Sequence, residues 1–128
     1  MINVCDINVM KPLLAEHGFH FSKAKGQNFL IASWVPQNIA LESGVTEDVG
    51  VLEIGPGIGP LTQQLCLNAG KVCAVELDNH LKPILDRTVG EFDNLENLVA
   101  TQSITDVLYL YNADTFLSDS SLADVLGG

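Results

Sequence analysis

Positive charge is scarce in this sequence: six Lys and Arg stand against sixteen Asp and Glu, for a net charge of −10. Gripping a phosphate backbone requires a cationic face. The balance therefore argues against an autonomous nucleic-acid binder, and any such partner must be held partly by residues outside these 128. Long apolar runs are absent as well, with nothing approaching the roughly 18–20 consecutive apolar residues that span a bilayer. The opening stretch from Met1 to Met10 carries Asp6 and no basic residue, so it lacks the cationic start of a secretory signal. The cytoplasm is the expected location. Cysteine is sparse too: Cys5, Cys66 and Cys73 are an odd count without CxxC spacing, which fits reduced thiols better than a disulfide frame or a zinc site. What the chain does have is 47% hydrophobic residues, enough for the core of one globular domain.

Half of the basic residues (Lys11, Lys23, Lys25) and two close histidines (His17, His20) fall in the first 30 positions. The two histidines have no third ligand in view, so a metal site is not expected. A short helix is predicted over 11–18, with Pro12 in its first turn and Gly18 closing it. The stretch from 19 to 30 has no clean period and reads as loop. Ser33 is a candidate N-cap for a helix reaching 40 or 43, with Gly44 as its stop and Trp34, Val35, Ile39, Ala40 and Leu41 as its apolar face. A buried parallel strand is predicted over 48–54, a glycine turn over 55–59, a helix over 61–67 stopped by Gly70, and a second strand over 71–76. Asp78 or Asn79 can cap a helix running to Val89, tolerating Pro83 in its early turns. Residues 107–111 read as a third strand, and a last helix is predicted from Asp119 or Ser120 to Leu126. Alternating strands and helices imply a three-layer α/β/α, Rossmann-like fold with a mainly parallel sheet. The expected division is an N-terminal segment, 1–30, followed by the first half of the ligand-binding domain, 31–128.

The segment Val51-Leu52-Glu53-Ile54-Gly55-Pro56-Gly57-Ile58-Gly59-Pro60-Leu61-Thr62 carries the chemistry. It is a strand ending in an acid, then three alternating glycines, then a helix. Glycines suit such a turn because a side chain would block a ligand from the backbone and because positive φ is needed. Glu76, 23 positions beyond Glu53, closes the next strand, where a carboxylate can accept both hydroxyls of an adenosine ribose. A dinucleotide fingerprint wants glycine at its sixth position, but counting from Gly55 that position is Pro60. The E-x-G-x-G-x-G spacing instead points to S-adenosylmethionine. That cofactor has no pyrophosphate, and Glu53 would meet its ammonium directly or through water.

These motifs, together with Lys25-Gly26-Gln27-Asn28-Phe29-Leu30, resemble those of the ribosomal RNA adenine N6-dimethyltransferases, the KsgA-type enzymes of the small ribosomal subunit and their Erm relatives. Val75-Glu76-Leu77-Asp78 is similar to the family's second-strand motif. Asn112-Ala113-Asp114-Thr115-Phe116-Leu117 is similar, with substitutions, to its third-strand motif. The resemblance implies a cofactor site in which Gln27, Asn28 and Leu30 line the methionine end, beside Glu53, Gly55 and Gly57. Glu76 would hold the ribose, with Leu77 next to it. Asp114 would accept from the adenine amine and Thr115 would offer its backbone N–H, although Asp114 can equally be an ordinary strand-end acid. The implied activity is S-adenosylmethionine-dependent dimethylation of adenine N6 in small-subunit ribosomal RNA.

The departures matter too. The family's Asn-(Leu/Pro)-Pro-(Tyr/Phe) tetrapeptide, which holds the flipped base, has no counterpart: none of the five prolines is followed by Tyr or Phe. No catalytic residue is therefore assigned. The chain is expected to be the cofactor-binding part of such an enzyme, reaching ribosomal RNA through the longer protein. A binding-only module without turnover is the alternative, and an oxidoreductase fragment is disfavoured by Pro60. An open sheet edge is expected to allow self-association.

Overall fold

The computed structural model describes residues 1–19 and 32–99, with side chains through residue 97. The first helix, α1 (Ile7–Glu16), starts at Asp6, whose carboxylate accepts the Asn8 backbone N–H at 2.9 Å. It therefore begins four residues earlier than predicted. Pro12 lies inside the helix, where its ring removes one ladder bond without ending it. Gly18, at φ +80°, closes the helix, its N–H bonding the Ala15 carbonyl while the Phe19 N–H reaches Leu14. That pair of bonds is a Schellman ending.

Helix α2 (Trp34–Glu42) starts after Ser33 as predicted, but the Ser33 side chain makes no capping hydrogen bond and the buried face is different. Pro36 and Ala40, four residues apart, are the buried pair, whereas Trp34 and Leu41 are 63% and 70% exposed and Ile39 is exposed as well. Small residues let this short helix approach α3 closely, which turns its large apolar side chains outward.

Strand β1 (Gly50–Ile54) leads through the glycine turn to α3 (Pro60–Asn68), and β2 (Lys71–Glu76) follows. A 3-10 turn at Asn79–Leu81, capped by Asp78, runs into α4 (Lys82–Thr88), with Pro83 in its first turn. Strand β3 (Leu95–Val99), which the sequence reading did not assign, completes a sheet in the order β1-β2-β3. Both pairings are parallel, with Ile54 opposite Val75 and Glu76 opposite Val99. Among the described strands β2 is central and almost fully buried, while β1 is an edge with only Glu53 buried. The expectation of a wholly buried first strand is corrected accordingly. The strand predicted at 107–111 and the last helix lie outside the described residues.

Two apolar clusters hold the helices on the sheet. One joins Met10, Leu13 and Leu14 of α1 to Ile84, Leu85 and Val89 around α4, with Ile58 of the glycine turn between them. The other joins Ala40 of α2 to Leu65, Cys66 and Ala69 around α3 and to Val72 of β2. Full burial of such side chains is worth roughly 1.5–3 kcal/mol each. Two amides brace the clusters. The buried Gln63 donates its Nε2 to the carbonyls of Ile2 (2.8 Å) and Thr88 (2.9 Å), and Asn94 donates to the carbonyls of Cys66 (2.8 Å) and Ala69 (3.1 Å) at the end of α3. No helix among the described residues is long and apolar enough to cross a membrane.

Candidate functional site

The glycine turn sits at the C-terminal ends of β1 and β2, where open parallel sheets bind their ligands. Gly55 extends the ladder by one bond, its N–H reaching the Val75 carbonyl at 2.8 Å. The Gly59 N–H bonds the Pro56 carbonyl (3.0 Å), and the Gly59 carbonyl accepts the Gln63 N–H (3.0 Å) as the first bond of α3. Gly55, Gly57 and Gly59 all have positive φ (+74°, +62° and +99°), which explains why the turn is built on glycine.

Their surroundings divide the three. A Cβ at Gly55 or Gly57 would meet nothing within 4 Å, so the backbone there is bare to a ligand. A Cβ at Gly59 would stand 3.0 Å from both Thr88 Oγ1 and Val89 Cγ1. The third glycine therefore serves the packing of turn on helix, while the first two leave the approach open. Between them, Ile58 is almost fully buried in the α1–α4 cluster and anchors the loop from below.

Both acids of the sequence reading are brought to this turn. Glu76, only 8% exposed, accepts the Gly57 N–H on Oε2 and the Asp78 N–H on Oε1, each at 3.1 Å. Each oxygen keeps a further lone pair. Leu77, next to it, is exposed. Glu53, 9% exposed, accepts the hydroxyl of the fully buried Thr62 across the turn. Burial pushes the Glu53 carboxyl above its ordinary value and Glu76 adds to the rise, while the Thr62 hydrogen bond opposes it. Burial, with a smaller push from Glu53, also drives the Cys66 thiol up to about 12. All three cysteines are free thiols, and among the described residues no His, Cys, Asp and Glu gather into a metal site.

Of the candidate residues, Glu53, Gly55, Gly57, Glu76 and Leu77 thus surround one turn, whereas Gln27, Asn28, Leu30, Asp114 and Thr115 lie outside the described residues. Ile58 and Thr62 belong to the same construction and were not singled out from sequence. The signals were there: an apolar residue alternating with glycines, and a hydroxyl in the first turn of the helix. A separate cavity of about 340 Å³, between Asn3 and Cys5, Gln37 of α2 and Gln64 of α3, includes none of the five.

The family model described as ribosomal RNA adenine dimethylase matches residues 18–110. The chain belongs to the ribosomal RNA adenine dimethylase family. Ribosomal RNA small subunit methyltransferase A of Oceanobacillus iheyensis is 48% identical over 85 residues, covering 66% of this chain and 29% of that protein. The Bacillus licheniformis protein of the same name is 51% identical over 85 residues, with the same coverage. That of Streptococcus pyogenes serotype M5 is 44% identical over 95 residues, covering 74% of this chain and 33% of that protein. The chain thus spans about a third of the length of the curated relatives it matches. Among solved structures, the 23S rRNA methyltransferase ErmE superposes with a TM-score of 0.51 at 31% identity, over 55% of this chain and 29% of that one. The parallel sheet of this dimethylase-family chain is therefore of the Rossmann-like kind found in that methyltransferase.

Proposed function

We propose that the chain forms the S-adenosylmethionine site of an enzyme that dimethylates adenine N6 in small-subunit ribosomal RNA. The observation that carries this reading is the pairing of a bare glycine turn with Glu76: open space over Gly55 and Gly57, and a buried carboxylate at the adjacent strand end. That arrangement fits an adenosine ligand without a pyrophosphate. Gly55 and Gly57 would let the methionine portion lie against the backbone, and the remaining lone pairs of Glu76 would accept the ribose hydroxyls. Leu77 would offer an apolar edge to the adenine, and Gln27, Asn28 and Leu30 would close the methionine end, with Asp114 and Thr115 at the base. When bound, the cofactor supplies a sulfonium methyl group. The protein's part is alignment of the target amine with that methyl and exclusion of water.

None of the five prolines precedes Tyr or Phe, so the aromatic tetrapeptide that holds the target base in this family is not within these 128 residues. This favours, for the chain on its own, cofactor binding without turnover, with ribosomal RNA engaged by the longer protein. Calorimetric titration with S-adenosylmethionine, and separately with NAD, tests the reading. Binding of the first and not the second, lost in Glu76→Ala protein whose circular dichroism matches the parent, is the expected result. Binding of NAD, or no heat from folded protein with either ligand, refutes it for this chain.

A further inference from the structure

We propose that Thr62 is a positioning residue for this site: its hydroxyl, donated to the Glu53 carboxylate, pins the base of the glycine turn and holds the turn in its ligand-ready shape. The inference rests on the S-adenosylmethionine reading and adds to it a residue and a role for Glu53.

Glu53 is the fourth of five residues in β1, and Thr62 is the third residue of α3. The eight residues between them contain the whole turn, so one side-chain bond ties its two ends together. Alternation along β1 puts Glu53 on the same face as Val51, which packs against the α2–α3 cluster, and Ile54 on the opposite, exposed face. The carboxylate is thus aimed at the helix beneath the turn.

Its neighbours explain why the hydroxyl is needed. Among the described residues, the titratable groups that interact with Glu53 are Glu76 and the Cys66 thiol, neither of them a cation. None of the described ion pairs includes Glu53. A buried carboxylate without a donor is strongly unfavourable, and Thr62 is the donor the structure supplies. The turn is then held from two sides: Glu53 and Thr62 fasten its ends from below, and Glu76 takes the Gly57 N–H from the neighbouring strand. On this division Glu76 faces the ligand, and what matters in Glu53 is its acceptor oxygen rather than its charge.

The test uses the 128-residue chain with two readouts: hydrogen exchange at the Gly55, Gly57 and Gly59 amides, all hydrogen-bonded here, and calorimetric affinity for S-adenosylmethionine. Thr62→Val should speed exchange and weaken binding by about tenfold or more, the factor expected for a hydrogen bond to a charged group. Thr62→Ser, which restores the hydroxyl, should recover both. Glu53→Gln keeps an acceptor and should resemble the parent in both, whereas Glu53→Ala should behave as Thr62→Val does. The last pair decides the matter if Thr62→Val does not fold. Unchanged exchange in Thr62→Val or Glu53→Ala overturns the pin. Glu53→Gln that loses affinity while its turn amides stay protected overturns the role given to Glu53, because the charge would then act on the ligand directly. If the parent chain binds no S-adenosylmethionine, the cofactor reading fails for this chain, and the exchange rates still decide the pin.

Discussion

Replacing Gly59 by Ala should cost more stability than replacing Gly57 by Ala, and the structure sets the size of the gap. Both glycines have positive φ, +99° and +62°. An L-residue there is strained by roughly 1–2 kcal/mol. Alanine also restricts the unfolded chain, which returns about 0.4–1 kcal/mol in both variants. The unfolded-chain contribution cancels between the two, while the strain is larger at Gly59, because +62° lies in the left-handed region open to L-residues and +99° lies outside it. Space differs in the same direction: the new methyl at position 57 meets nothing within 4 Å, while at position 59 it meets Thr88 Oγ1 and Val89 Cγ1 at 3.0 Å and Leu85 Cδ2 at 3.5 Å. Thr88, Val89 and Leu85 are all buried, so none can swing aside into solvent. Overpacking of that kind costs about 1–3 kcal/mol, and Gly59→Ala should exceed Gly57→Ala by at least that amount. Urea unfolding at neutral pH, comparing midpoints at constant slope, measures the difference. Equal costs, within about 0.5 kcal/mol, would refute the claim that the third glycine is there for helix packing.

Three further outcomes are expected. Because the Glu53 carboxyl is raised in the folded state, that state binds its proton more tightly than the unfolded chain does. Its contribution is therefore fully present below the ordinary Glu value and is lost as pH rises through the raised one. Glu53→Gln should flatten the fall in stability seen on raising pH from about 4.5, and an unchanged pH profile would contradict the burial argument. The Cys66 thiol, pushed up to about 12, should resist an aromatic disulfide reagent at pH 8 until urea unfolds the chain, and rapid labelling of folded protein at Cys66, located by peptide mapping, would count against the assignment. Asn94→Ala removes two hydrogen bonds at the end of α3 and should cost about 1–3 kcal/mol in urea unfolding, whereas Asn94→Asp, which cannot donate them, should be no better.

What could be read from sequence was what local chemistry decides. The turn at 55–59 was legible because no residue but glycine accepts repeated positive φ so readily, and β2 because Val72, Ala74 and Val75 are buried among apolar neighbours. The start of α1 was misread because Pro12 suits a first turn as well as it fits where it stands, and Asp6 competes as a cap only once its bond to Asn8 is seen. The face of α2 was misread because size suggested Trp34 and Leu41, while close helix approach selects Pro36 and Ala40. Strand β3 was missed because Glu96 and Asn97 are poor strand formers, and the pairing with β2 that overrides them is a tertiary fact. In the site, the place of Glu76 at a strand end beside the glycine turn was legible. The partner of Glu53 was not, since a carboxylate says nothing of which donor the fold will bring to it.

Gln63 has a consequence for how the chain is made. Its side chain joins a carbonyl at residue 2 to one at residue 88. Translation delivers residues from the N-terminus at roughly 5–20 per second, so about 4–17 s separate the synthesis of those two positions. Until Thr88 has left the ribosome, the buried amide has only one of its acceptors, and the α1 side chains lack the α4 surface they pack against. Residues 2–14 are therefore delivered before the partners that fix them, and their settling waits on residues 84–89.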